Sequence, residues 1–213
     1  MPRIRVLLAD DHALVCSAFQ KLLEPHYQVV GSVGDGRTLL KAAADLKPDV
    51  VLLDITMPLL NGLDAGRELK RRMPAVKLVY LTMNTASELA EEALRAGASA
   101  YVLKNAKSSE LLQAIEGSLQ GKTFVSPQIR RGMEQAFIRD PQAASRPRHL
   151  TDRQVEVLQL LAEGRQLKEI AGILQITYRT ARFHKSGIME QLGINSNLEL
   201  VRYAMKQGMI SSA

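Results

Sequence analysis

The sequence has a single cysteine, Cys16, which excludes an internal disulfide and any cysteine cluster for zinc or iron–sulfur. It also lacks an apolar stretch of about 18 residues, the length that a membrane-spanning helix requires. No apolar leader precedes Asp10; the chain starts instead as a strand carrying Arg3 and Arg5. There is no short-period repeat and no low-complexity tract. Together these features lead us to expect a soluble, cytoplasmic protein without targeting or membrane segments. A strong charge of one sign is missing too, with 28 Lys and Arg against 22 Asp and Glu. By segment the excess is +1 for residues 1–124 (15 basic, 14 acidic), +3 for 125–149 (5 and 2) and +2 for 150–213 (8 and 6). The basic surplus in the later part is compatible with nucleic acid, but too small to argue for it alone.

What is present is an alternation of apolar strands and amphipathic helices. Apolar runs at Arg3–Ala9, Tyr27–Val33, Asp49–Leu53, Val76–Leu81 and Ser99–Leu103 predict five buried strands. Between them, Leu14–Leu23, Thr38–Leu46, Leu63–Met73, Glu88–Ala96 and Ser109–Leu119 space their apolar residues at three and four, as helices do. This alternation predicts an α/β domain with a doubly wound, five-stranded parallel sheet. In such sheets the site lies beyond the carboxyl ends of the strands, where strand order reverses. Four of the five strands run directly into polar residues there: Asp10 and Asp11, Asp54, Thr82, and Lys104.

Clustered carboxylates repel one another, so Asp10, Asp11 and Asp54 can all stay ionised near neutral pH only with a cation among them. Hard oxygen donors suit Mg2+, which keeps several waters and favours a phosphate-bearing ligand. Asp54 can then act as a nucleophile toward phosphorus, with the Lys104 ammonium and the Thr82 hydroxyl aimed at the phosphoryl oxygens. A carboxylate already ionised at neutral pH needs no general base.

Residues 1–122 resemble a response-regulator receiver domain, a flavodoxin-like fold. The resemblance rests on Asp10-Asp11, on Asp54-Ile55-Thr56-Met57-Pro58 with Gly62, on Thr82, and on Tyr101-Val102-Leu103-Lys104. It implies that Asp54 is the phosphoacceptor and that a magnesium ion is held by Asp10, Asp11, Asp54 and the Thr56 backbone carbonyl. It further implies that Thr82 and Tyr101 form a switch pair, Thr82 turning toward the phosphoryl group while the Tyr101 ring swings into the space it leaves. A magnesium-dependent phosphatase is the competing reading of Asp54, but the chain lacks the second aspartate two residues on that such haloacid-dehalogenase-like enzymes share. His12 and His26 are read as surface or loop residues, and Cys16 as a small helix residue near the core.

After Gly121 the composition changes. Ser126-Pro127 suits a helix start, and Ile129, Met133, Ala136 and Phe137 share one face. Arg139–His149, with two prolines and no apolar stripe, reads as a linker, so residues 123–149 form a connecting helix and linker. Residues 150–213 read as an all-α unit of four helices. Thr151 with Gln154 caps the first, stapled by Leu150 and Val155, and Gly164 ends it. Leu167, Ile170, Ala171 and Leu174 line the second; Tyr178–Leu192 is the third, closed by Gly193; Ser196 with Glu199 caps the fourth. Two short helices joined by a tight turn suggest a helix-turn-helix. In the third helix, Ala181, His184, Ile188 and Leu192 form a packing face, whereas Arg179, Arg182, Phe183, Ser186 and Glu190 project from the other side.

This unit resembles the LuxR-type, NarL/FixJ-type DNA-binding domain. The residues that carry the likeness include Leu150-Thr151, Lys168-Glu169-Ile170-Ala171, Thr180–His184, Leu192-Gly193 and Glu199-Leu200-Val201. Arg182 can take a guanine edge, Phe183 a thymine methyl, and Arg179 or Lys185 a phosphate; the resemblance places Ser186 at a base-facing position and Thr180 at a backbone-positioning one. Departures include Gln154, Gln166-Leu167, Ala181 and Asn197, with Ser186 and Gln191 neutral where many members are basic. The whole chain is thus expected to be a transcription regulator that takes a phosphoryl group from a sensor histidine kinase and binds double-stranded DNA as a homodimer, rather than an enzyme. By family resemblance the receiver would cover the recognition helix until phosphorylation. Two alternatives remain: an orphan regulator working without phosphate, and a helix-turn-helix that binds a protein.

Overall fold

Period-two alternation in the strands builds two cores from one sheet. In the computed structural model, which describes residues 3–139 and 150–210, β1 (Arg5–Ala9) sends Leu7 and Ala9 to one face and Val6 and Leu8 to the other. In β3 (Val50–Asp54) Val51 and Leu53 join the first set, Val50 and Leu52 the second. Every residue of β3 is buried, which explains why it reads as an unbroken apolar run. The first face is covered by α2 (Gly36–Leu46), α3 (Gly62–Arg72) and α4 (Ser87–Arg95), through Leu39, Leu63, Leu69 and Leu89. The second is covered by α1 (Ala13–Leu23) and α5 (Ser108–Leu119), through Cys16, Leu23, Leu111 and Ile115.

With β2 (Gln28–Val33), β4 (Lys77–Thr82), β5 (Ala100–Leu103) and β6 (Phe124–Val125), the strands form a parallel sheet in the order β2-β1-β3-β4-β5-β6. The expected count of five is therefore corrected to six. The extra strand is two residues long, Ala100 pairing with Phe124 and Tyr101 with Val125, too short to show any periodicity. Helix α6 (Pro127–Arg139) follows, and its Ile129 is buried in the first core. The expected linker at Arg139–His149 lies, beyond Arg139 itself, outside the described residues.

The C-terminal helices are α7 (Asp152–Ala162), α8 (Leu167–Leu174), α9 (Tyr178–Leu192) and α10 (Asn197–Lys206). Capping boxes form at Thr151/Gln154 and Ser196/Glu199, and Gly193 adopts φ 65° at the end of α9. Leu150, Val155, Leu158, Ile170, Leu174, Ala181, Ile188 and Leu200 close a separate core. No described helix is long and apolar enough to cross a membrane.

Candidate functional site

The chain reverses direction across the sheet between β1 and β3, whose paired register ends at Ala9 and Leu53. The next residue on each strand is an aspartate, so Asp10 and Asp54 face one crevice, both nearly buried. Lys104 follows β5 and reaches across: its Nζ lies 2.6 Å from Asp10 Oδ2 and 2.9 Å from Asp54 Oδ2. Asp11 completes the carboxylates. The structure also brings in His12, read from sequence as a surface or loop residue. It is exposed, yet its Nδ1 lies 2.9 Å from Asp11 Oδ1 and 3.2 Å from Asp10 Oδ1, while its backbone N–H donates to Asp10 Oδ1 at 2.9 Å. One ligand atom from each of Asp10, Asp11, His12 and Asp54 falls within 4.8 Å of the others. This acidic pocket can hold a metal ion.

Burial pushes the Asp54 carboxyl up to about 6, against the opposing pull of Lys104 and of the Thr56 N–H. Burial pulls the Lys104 ammonium down, but Asp54 and Asp10 more than offset it, so the net shift is upward. A carboxyl with a raised folded-state pKa binds its proton more tightly folded than unfolded. Its contribution to stability is full below about pH 4 and is lost as pH rises through about 6. In chelator, wild type should therefore lose about 2–3 kcal/mol across that window relative to Asp54→Asn. Melting temperatures of the two proteins from pH 4 to 7 check this; parallel curves would contradict it.

Thr82 ends β4, almost wholly buried, with Oγ1 accepting from the Asn84 N–H at 2.9 Å. The Tyr101 ring is fully buried, its centroid 6.5 Å from that of Tyr80. Burial raises the pKa of its hydroxyl, partly offset by Thr82. The sequence reading has this ring swinging inward as Thr82 moves; in this structure the inward position is already taken.

Across the loop from Asp54 to α3, Gly62 N–H donates to Ile55 O at 2.7 Å, and Asn61 caps α3 by accepting from the Asp64 N–H at 3.0 Å. Leu59 has φ +67°, the left-handed region that a leucine seldom adopts. The far side of this loop is held by the C-terminal unit. Gln159 of α7 donates from Nε2 to Met57 O at 2.7 Å and accepts at Oε1 from the Asn61 N–H at 2.8 Å. Glu163 Oε1 accepts from the Leu59 N–H at 3.0 Å. Arg37 of α2 pairs with Glu156 at 3.2 Å. The sequence reading missed all of these. Their only signal was Gln159 itself, a polar residue between Leu158 and Leu160.

On α9, Ala181 and Ile188 are buried, whereas Arg179, Arg182, Phe183, Ser186 and Glu190 are exposed. Phe183 is 74% exposed; Thr180 and Lys185 are half-buried at the rim. The expectation that the receiver covers this face is corrected, because the receiver meets the C-terminal unit through α7 and through the residues after α10, where Gly208 lies close against Leu89 of α4, and leaves the projecting side of α9 open. Phe183 thus presents a large apolar ring to solvent on the same face as Arg179 and Arg182.

Residues 6–116 match the response regulator receiver domain family, and residues 148–204 the luxR family of bacterial regulatory proteins. Among similar proteins, the transcriptional regulatory protein MctR of Rhizobium johnstonii is 35% identical over 99% of this chain and 97% of its own length. The response regulator GacA of Pseudomonas aeruginosa is 34% identical over 99% of both. A solved structure of RcsB from Salmonella enterica serovar Typhimurium is similar with a TM-score of 0.65 at 26% identity, covering 96% of this chain and 100% of that one. A receiver fold with its acidic crevice, joined to a luxR-type four-helix unit over nearly the full length of such relatives, places the chain among the two-component response regulators of the NarL/FixJ, LuxR-type family.

Proposed function

We propose that Asp54 accepts a phosphoryl group from a sensor histidine kinase and that this event controls binding of a homodimer to double-stranded DNA. The observation that carries the reading is Lys104 bridging the nearly buried Asp10 and Asp54 at the strand ends. In the transfer, an Asp54 carboxylate oxygen forms a bond to phosphorus as the P–N bond of the kinase phosphohistidine breaks. The electron pair of that bond stays on the imidazole nitrogen, and the product is an aspartyl phosphate.

The donor set fits a hard divalent cation: Asp10, Asp11 and Asp54 offer carboxylate oxygens within a few ångströms, and the Thr56 carbonyl follows on the same loop. Mg2+ bound there supplies charge neutralisation of the phosphoryl oxygens. Lys104 adds its ammonium to the same task, and burial keeps water away from the acyl phosphate formed. Thr82 supplies a hydroxyl to the phosphoryl group, and a change in its position is felt by the buried Tyr101 ring behind it. A local charge change thereby becomes a packing change around β5, which α4 and α5 flank from opposite faces of the sheet. Receiver chemistry of this kind amounts to self-phosphotransfer with slow self-dephosphorylation, and the output is binding rather than turnover.

Arg182, Phe183 and Ser186 are proposed to meet base edges, with Arg179, Thr180 and Lys185 on the backbone. The RcsB relative was solved bound to a promoter in the presence of the phosphomimetic beryllofluoride, and another RcsB structure contains dimers on DNA. Those findings support the same reading here, for a protein that works in the cytoplasm.

The test is intact-protein mass after incubation with acetyl phosphate and magnesium. Wild type is expected to gain one phosphoryl group, and to lose that gain in chelator; Asp54→Asn is expected to gain none. Equal incorporation by both proteins would remove Asp54 from the role.

A further inference from the structure

We infer that the C-terminal domain regulates the phosphoacceptor directly, with Gln159 and Glu163 acting as positioning residues that hold the Asp54 loop in a resting, slowly reacting arrangement. The inference rests on the reading of Asp54 as acceptor and extends it to residues more than a hundred positions away.

The loop between Asp54 and Gly62 has few bonds of its own. Gly62 N–H to Ile55 O closes its base, and Leu60 N–H to Pro58 O at 2.8 Å makes one tight turn. The Met57 carbonyl and the Leu59 and Asn61 N–H groups are instead taken up by α7. Gln159, 0% exposed, spans the loop: Nε2 donates to Met57 O, while Oε1 accepts from both the Asn61 backbone N–H and its Nδ2, the latter at 3.1 Å. Glu163 Oε1 accepts from the Leu59 N–H and also from Gln159 Nε2 at 2.9 Å, so the two side chains act as one clamp. Leu59, in its left-handed conformation, packs against the C-terminal core. A conformation that leucine disfavours is thus held by bonds and packing from the other domain.

Thr56, whose N–H reaches Asp54 and whose carbonyl is a proposed metal ligand, lies on this same loop, next to the clamped Met57 carbonyl. Movement of the loop to accommodate a phosphoryl group must stretch bonds that exist only in the resting state. Such bonds lower the ground state without helping the transition state, and so slow acceptance. By reciprocity, whatever the clamp costs the occupied acceptor, occupancy costs the clamp. The clamp is releasable because Glu163 Oε2 is buried without a hydrogen-bond partner among the described residues, a desolvation cost that undocking relieves. Since the projecting face of α9 is already exposed, release acts on the freedom of the C-terminal domain to pair and reorient, not on uncovering that face.

The test uses full-length Gln159→Leu, Glu163→Leu and Glu163→Gln, with folding checked by circular dichroism. For each, the rate of phosphoryl incorporation from acetyl phosphate in saturating magnesium is measured across donor concentrations, beside hydrogen exchange of residues 57–62. Gln159→Leu and Glu163→Leu are expected to raise the maximal rate at least threefold with an unchanged half-saturating donor concentration. Glu163→Gln keeps the accepting oxygen and should restore the wild-type rate. Exchange at 57–62 should rise in the two leucine variants, and in wild type on adding beryllofluoride. Maximal rates at or below wild type in either leucine variant would overturn the clamp while leaving Asp54 as acceptor. Wild type that gains no phosphoryl mass would overturn the acceptor reading and the clamp together.

Discussion

Gly62→Ala is expected to destabilise the receiver by about 3 kcal/mol or more, or to prevent it from folding. A Cβ at this position would lie 1.9 Å from the backbone oxygen of Asp54 and 2.8 Å from its carbonyl carbon, with Ile55 Cα at 2.9 Å. All three atoms are backbone, so no side chain can swing aside, and the strand end that presents Asp54 would have to move. Gly172→Ala is the control, since nothing lies within 4 Å of a Cβ there and the site is inside α8. That change should be neutral or stabilising by up to about 1 kcal/mol, because glycine is a poor helix former. Urea unfolding of both variants decides the matter; a Gly62→Ala protein as stable as wild type would mean that the close approach of α3 to β3 is not maintained in solution.

The second large effect belongs to α9. Arg182→Ala should weaken specific DNA binding by about 1–3 kcal/mol, roughly 5- to 150-fold, and relax preference at one base pair. Arg182 is exposed on the projecting face, beside a Phe183 ring that has no core to enter. Arg179→Ala should instead weaken binding to all sequences alike and flatten the salt dependence by about one unit of slope. If neither substitution changes binding, and the affinity shows no salt slope, the face meets a protein rather than phosphates.

Much of the receiver was legible because its physics is local and periodic. Unbroken apolar runs such as that of β3 announced buried strands, and the polar residues that end them pointed to the crevice where Asp10, Asp54 and Lys104 meet. The caps at Thr151 and Ser196 were equally local, since each depends on one side chain and a partner three residues on. What escaped depends on distant parts of the chain. Strand β6 is defined by its pairing to β5 rather than by a pattern of its own. His12 is the exposed loop residue that the sequence suggests, and only the approach of its ring to its neighbours Asp10 and Asp11 had no signal there. Leu59 and Gln159 gain their meaning only from each other's domain: a leucine in the left-handed region and a glutamine wholly buried in a helix are both locally unfavourable choices. Conflicts of that kind between local preference and observed structure gather at functional sites, and here they sit against the acceptor loop.

The claim that joins the two halves is that phosphorylation at Asp54 governs DNA binding. The most direct measurement is the affinity of the full chain for DNA fragments that it selects from random sequence, with and without magnesium and acetyl phosphate, alongside its mass in solution. The account predicts that wild type becomes a dimer and binds at least about tenfold more tightly on phosphorylation, while Asp54→Asn stays monomeric and weak under both conditions. Phosphorylated and unphosphorylated wild type binding DNA with the same affinity would contradict it.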